Sequence, residues 1–382
     1  MHIIFKHFKP FEENQKRFIE NSLKNSFPNL KFSCKKNIVY SNKKDKSKKL
    51  KQSCKKIIEV SLKSNIKKIL FYQQKKTFYS DNPMIFLKNS KQVTRISNGL
   101  FQFQGDFLKV FRATNNYFFE LAVKEFKAID QENPVLWPID LYKKIDYFSD
   151  FPQQILMVSG LKKKYKAYSS FSKKYKKSKS FKNIKIDKNF RNSEYGLQPA
   201  VCDNCYYALK NSKFLNNKVF TTYNKVFRDE VSKYNTLDRL ISFSVRDIMF
   251  VGDKNFTLDV RNNLIKSIKK FLNISELNCS IEVANDPFFV SNINKKVFQD
   301  AFDLKFEILA DIPFLKEKIA IGSINYHFNT FGKALGIFKK GKPVFSGCIG
   351  IGFERFLLAL YSQFGTNLKH WPKKFKKLIN LT

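Results

Sequence analysis

From about residue 99 onward, short runs of β-branched and aromatic residues alternate with longer stretches of helical periodicity. That alternation restricts the fold to a sheet flanked by helices. Lys218–Tyr223, Leu240–Val251 and Leu304–Leu309 read as strands. Phe107–Ile129 spaces its apolar residues as an amphipathic helix, ending before Pro134, and helical patterns recur at Val260–Phe271 and Phe353–Phe364. Several neighbouring runs look antiparallel, so the expected class is α+β. Residues 1–95 have another texture, with a basic run over Lys43–Lys51 and one amphipathic stretch, Lys55–Phe71. They are expected to form a basic N-terminal extension, and 96–382 the main domain. The lysine- and serine-rich stretch Lys162–Lys188 is expected as an exposed insertion.

Composition narrows the setting. A hydrophobic fraction of 43% with 42 phenylalanines excludes wholesale disorder. No apolar stretch approaches the ~20 residues of a membrane helix, and Glu12, Glu13 and Glu20 argue against a transit peptide. A soluble cytoplasmic protein with no membrane partner is expected. The net charge of +39 suggests an anionic partner. Only nine of the 71 basic residues are arginine, however, and that lysine excess equally fits coding drift in an AT-rich genome. Both readings stay open. Six cysteines spread along the chain favour free thiols or a metal site over a disulfide framework.

Two constellations carry chemistry. Phe227-Arg228-Asp229-Glu230 is followed by a polar loop and then Arg239-Leu240-Ile241-Ser242-Phe243. On two strands joined by that loop, Arg228, Glu230 and Phe243 share a face, because alternate side chains do. An arginine there grips a phosphate and an aromatic ring stacks on a base. Gly350-Ile351-Gly352-Phe353-Glu354-Arg355 runs into an apolar helix, where glycines admit a ligand and the helix start with Arg355 suits a phosphate. Each string alone also has an ordinary reading, as a surface ion pair or as close helix packing.

In this order the two strings resemble motifs 2 and 3 of class II aminoacyl-tRNA synthetases, and Pro134-Val135-Leu136-Trp137-Pro138 is similar to the motif 1 region of the seryl branch. Further strings narrow the likeness. They include Leu197-Gln198-Pro199-Ala200-Val201-Cys202, Ala284-Asn285-Asp286-Pro287, Leu304-Lys305-Phe306-Glu307, Ser323-Ile324-Asn325-Tyr326-His327 and Ser346-Gly347-Cys348. Together they resemble the amino acid:[carrier protein] ligases, relatives of the zinc-type seryl-tRNA synthetase of methanogens.

The resemblance implies a class II core, an antiparallel sheet flanked by helices, acting as a homodimer. It implies ATP-dependent activation of glycine or alanine as the aminoacyl-adenylate, with Mg²⁺ accompanying ATP. The acyl group then passes to the phosphopantetheine thiol of an acidic carrier protein. Catalytic Arg228 and Arg355 hold the triphosphate, while Glu230 and Phe243 fix the adenine and Arg239 and Leu240 lie near ATP. Zn²⁺ is held by Cys202, Asp247 and Cys348, and its open position takes the substrate amino group. Cys202, Asp247 and Asn325 form the amino-acid site. Asp247 stands where the family has glutamate, one methylene longer, and Cys205 is an alternative ligand to Cys202. His327 reads as a structural histidine or as an aid to acceptor deprotonation, and Asn285 and Asp286 as a turn or part of the site. Two alternatives remain: a zinc-dependent seryl-tRNA synthetase with tRNA as partner, and an inactive synthetase-like binding protein.

Overall fold

The computed structural model describes residues 2–381 apart from 12–14, 17–18, 21–22, 25–26, 28–29, 43–47, 64–68, 76–78, 177–186, 215, 230–235 and 285–303. Glu230, Asn285 and Asp286 therefore lie outside the described residues.

An eight-stranded sheet organises the molecule. Its strands are β1 (Ile69–Gln73), β2 (Ile129–Asp130), β3 (Lys218–Phe227), β4 (Ser242–Gly252), β5 (Cys279–Val283), β6 (Lys305–Ile312), β7 (Glu317–Phe328) and β8 (Phe345–Gly352). They lie in the order β1-β5-β6-β7-β8-β4-β3-β2. Every pairing is antiparallel except the short parallel contact of β2 with β3. The α+β expectation holds, and the three expected strands lie within or overlap β3, β4 and β6.

The helices packed against this sheet include α1 (Gly105–Glu120), α2 (Lys254–Ser275) and α3 (Phe353–Phe364). α2 starts where Asp253 accepts the Phe256 amide at 3.0 Å and stops where Glu276 turns left-handed at φ 60°. α3 runs from Phe353 to Phe364 as the periodicity expects, and eight of its residues from Phe356 to Gln363 are buried. The expected helix over 107–129 is shorter. α1 widens into a π turn at Leu121–Glu125, and Ile129 is drawn into the sheet opposite Phe220.

The chain divides earlier than residue 95. Ile69-Leu70-Phe71 belong not to a helix but to β1, which pairs with β5 at the sheet edge. Met84, Leu87 and Val93 are buried in the same core as the sheet. The physical reason is the ladder with β5, which outweighs the helical spacing that precedes it. The N-terminal residues make a separate core, in which a three-stranded antiparallel sheet (His2–Lys6, Ile38–Ser41, Phe32–Lys35) lies with a helix, Lys48–Lys63. The expected insertion contains a helix at Tyr165–Lys176. Leu136–Pro138 pairs with Tyr195–Leu197, with Trp137 fully buried against Tyr142 and Tyr147. No helix among the described residues is long and apolar enough to cross a membrane.

Candidate active site

A cleft of about 420 Å³ opens over the strands β4, β7 and β8. Its two ends differ in chemistry.

At one end three donors converge. Asp247 on β4 faces Gly350 on β8, and Cys348 lies two residues back along β8. Cys202 begins a short helix, Cys202–Ala208, behind them. The two thiols and the carboxylate are buried, and their ligand atoms all lie within 4.8 Å of one another. Around a tetrahedral zinc, sulfur and oxygen ligands stand roughly 3.4–3.8 Å apart, so this set closes on one ion with small side-chain adjustments. The chemistry of the donors fits as well. Burial pushes the Asp247 carboxyl up to about 7, the neighbouring Asp203 adds to the rise, and contacts from Cys202 oppose it. A buried carboxyl so disfavoured as an anion is one that a cation would stabilise.

The shorter aspartate reaches the donor set because of its cross-strand neighbour. A Cβ at position 350 would sit well inside van der Waals contact of Asp247 Oδ1. Glycine at 350 thus makes room for a carboxylate of the donor set, where the sequence suggested only close approach of a ligand. Cys205 is not part of the cluster found among the described residues. Its sulfur receives the Asn133 amide at 3.3 Å, and burial holds its thiol up to about 12.

At the other end sit the arginines. Arg228 follows β3, donates from Nε to the Pro199 carbonyl at 2.9 Å and lies over the Phe243 ring at 5.4 Å. Arg355, on the first turn of α3, donates to the Asp238 carbonyl at 2.7 Å. Arg239 lines the same cleft and is exposed. Leu240 lines it too but is buried in the main core, so its contribution is apolar wall. Asn325 lines the cleft, yet its amide is engaged by Ser323 Oγ at 3.1 Å and Cys348 Sγ at 3.6 Å.

No family model matches the chain. A type-2 serine–tRNA ligase of Methanococcus maripaludis is 25% identical over 281 residues, which is 71% of this chain and 54% of that ligase. An amino acid–[acyl-carrier-protein] ligase of Bradyrhizobium diazoefficiens is 34% identical over 158 residues, 41% of this chain and 48% of that ligase. Among solved structures, the M. kandleri SerRS in complex with A. aeolicus tRNASec superposes with a TM-score of 0.72 at 14% identity, covering 98% of this chain and 76% of that one. This chain is related to the type-2 seryl-tRNA synthetases. It carries their class II fold and spans about half the length of the curated relatives it matches.

Two residues of the site escaped the sequence reading. Glu354 is buried and accepts from the Ser244 amide at 2.8 Å, from Ser244 Oγ at 2.9 Å and from Lys225 Nζ at 3.4 Å. It pins β3 and β4 to the first turn of α3, and so ties the strand of Phe243 to the helix of Arg355. It stands inside the string that named Arg355, but nothing in the spacing shows what it accepts from. Asp203 is buried beside Cys202, 3.4 Å from its sulfur. An acid directly after a candidate ligand was its only signal.

Proposed function

We propose that this chain, as a homodimer, joins ATP and a small α-amino acid, glycine or alanine, into an aminoacyl-adenylate. The phosphopantetheine thiol of a carrier protein then attacks the acyl carbonyl, the C–S bond forms as the bond to the phosphate oxygen breaks, and AMP and the thiol proton leave. The observation that supports the first step is one cleft holding Cys202, Asp247 and Cys348 at one end and Arg228, Arg239 and Arg355 at the other. Zn²⁺ held by the three donors supplies a Lewis-acidic position for the α-amino group. With an amino group held there, the same cleft would bring the substrate carboxylate to the arginine end, where Arg228 and Phe243 would meet the α-phosphate and the base. Preset guanidinium groups stabilise the charge that grows as the carboxylate oxygen bonds to phosphorus and pyrophosphate leaves, with Mg²⁺ accompanying ATP. Glu354 keeps the strand and the helix in register for this.

The carrier thiol as acceptor is supported by the higher identity of the stretch shared with the carrier-protein ligase. A second reading, transfer to tRNA, is favoured by one observation: the superposition on a tRNA-bound synthetase covers 98% of this chain and so extends over the N-terminal module. One assay separates them. Enzyme, ATP and labelled amino acid are incubated with holo-carrier, apo-carrier or total tRNA. The proposal expects a hydroxylamine-labile label on the holo-carrier alone. Label on tRNA, with none on a carrier, overturns it in favour of the second reading.

A further inference from the structure

The two cysteine sulfurs of the donor set have different surroundings. Cys348 Sγ receives the Asn325 amide, Nδ2, at 3.6 Å and lies 3.9 Å from His327 Nε2. The other ring nitrogen of His327 meets Ser346 Oγ at 3.4 Å. With the serine hydroxyl donating to Nδ1, the Nε2 hydrogen points at the sulfur, a tautomer assigned from these partners. Cys202 Sγ instead stands beside an acceptor, the Asp203 carboxylate, at 3.4 Å. One sulfur is thus met by two N–H donors and the other by a carboxylate.

The backbone is built to hold the imidazole there. Asn325 pairs directly with Cys348, and the register of β7 against β8 then breaks between Tyr326 and Phe328, leaving His327 as the extra residue of a bulge. Phe328 next to it turns to φ 50°, a conformation that costs a bulky residue free energy. Bulges of this kind re-aim side chains near functional sites. Tyr206 and Phe331 pack against the ring in T-shaped contacts, with centroids 5.7 and 4.9 Å away.

We propose that Asn325 and His327 are positioning residues of the metal site, donating hydrogen bonds to the Cys348 sulfur and so weakening its electron donation to the bound ion. Neither is a ligand, and Asn325 acts on the amino acid through the metal. A less donating sulfur leaves the ion a stronger Lewis acid, which tightens its hold on an incoming amino group. Cys202, facing Asp203, supplies the stronger sulfur donor. The inference rests on the metal part of the proposed function and is independent of the acceptor.

The test uses the full chain loaded with Co²⁺, which reports thiolate donation through its sulfur-to-metal charge-transfer band. His327→Phe keeps the ring packing and removes the N–H, while His327→Gln keeps an N–H donor. The expected result for His327→Phe is one Co²⁺ still bound per chain and a charge-transfer band moved to lower energy. His327→Gln returns the band most of the way, and Asn325→Ala shifts it in the same direction. An unmoved band in His327→Phe overturns the proposal. So does X-ray absorption showing imidazole bound directly to the metal in the unaltered protein. A chain that takes up neither Co²⁺ nor Zn²⁺ overturns the metal reading itself, and metal analysis shows this before any band is compared.

Discussion

The two ends of the cleft are made in different ways. At the donor end every candidate ligand is buried, and Cys202 and Cys348 sit within an apolar cluster that includes Tyr206, Met249 and Phe331. The carboxylate there has its room set by an opposing glycine. At the arginine end the side chains come from a strand end, a loop and a helix start, and are half-buried or exposed. Arg228 and Arg355 rest on main-chain carbonyls. A small cation in a low-dielectric wall needs donors placed to within tenths of an ångström, and dense packing supplies that. A triphosphate is large and highly charged, and long guanidinium side chains meet it with less exact preparation. The donor end is therefore expected to fail through geometry and the arginine end through charge.

The largest effect expected of a single charge is at Arg228. Arg228→Ala should slow amino-acid-dependent ATP–pyrophosphate exchange by at least ~10²-fold, as removal of one preset donor at a developing charge does. Metal content should stay unchanged. Loss of metal in this variant would break the separation of the two ends. A smaller effect is expected from a single methyl group at the other end. Gly350→Ala places its Cβ against Asp247 Oδ1 and should weaken zinc retention about tenfold, measured by competition with a chelator. Retention equal to the unaltered protein would show that the carboxylate is not a ligand. The smallest concerns pH. In metal-free protein the folded state holds the Asp247 proton up to about 7, against 3.8 for the ordinary carboxyl. Such a group favours the folded form at low pH and loses that contribution as pH rises through the window between those values. Melting temperature of the metal-free chain should fall by a few degrees from pH 5 to pH 8, and zinc should abolish the fall. A flat profile without metal would mean that Asp247 is less enclosed than the structure has it.

The sequence was legible where one element carries its own pattern. Phe353–Phe364 carries a helical, largely apolar pattern of its own, and the structure has the helix with those bounds. Arg228, Arg355, Cys202 and Cys348 stand in recognisable strings, and the structure brings all four to one cleft. It was not legible where long-range pairing decides. Ile69-Leu70-Phe71 continue a helical spacing, and only β5, more than 200 residues later, makes them a strand. Gly350 reads as a glycine that admits a ligand until β4 is laid beside it and Asp247 takes up the space. Glu354 and His327 depend on partners from other strands, which no spacing within their own strings reveals.

One cleft is proposed to hold an amino acid by a metal and ATP by arginines. The most direct measurement is ATP–pyrophosphate exchange across the twenty amino acids, run on zinc-loaded, metal-stripped and zinc-restored protein. Exchange with a small α-amino acid is expected in the loaded chain, none after stripping, and full return at one zinc per chain. Exchange that survives complete removal of the metal, or that no amino acid supports in the loaded chain, would contradict it.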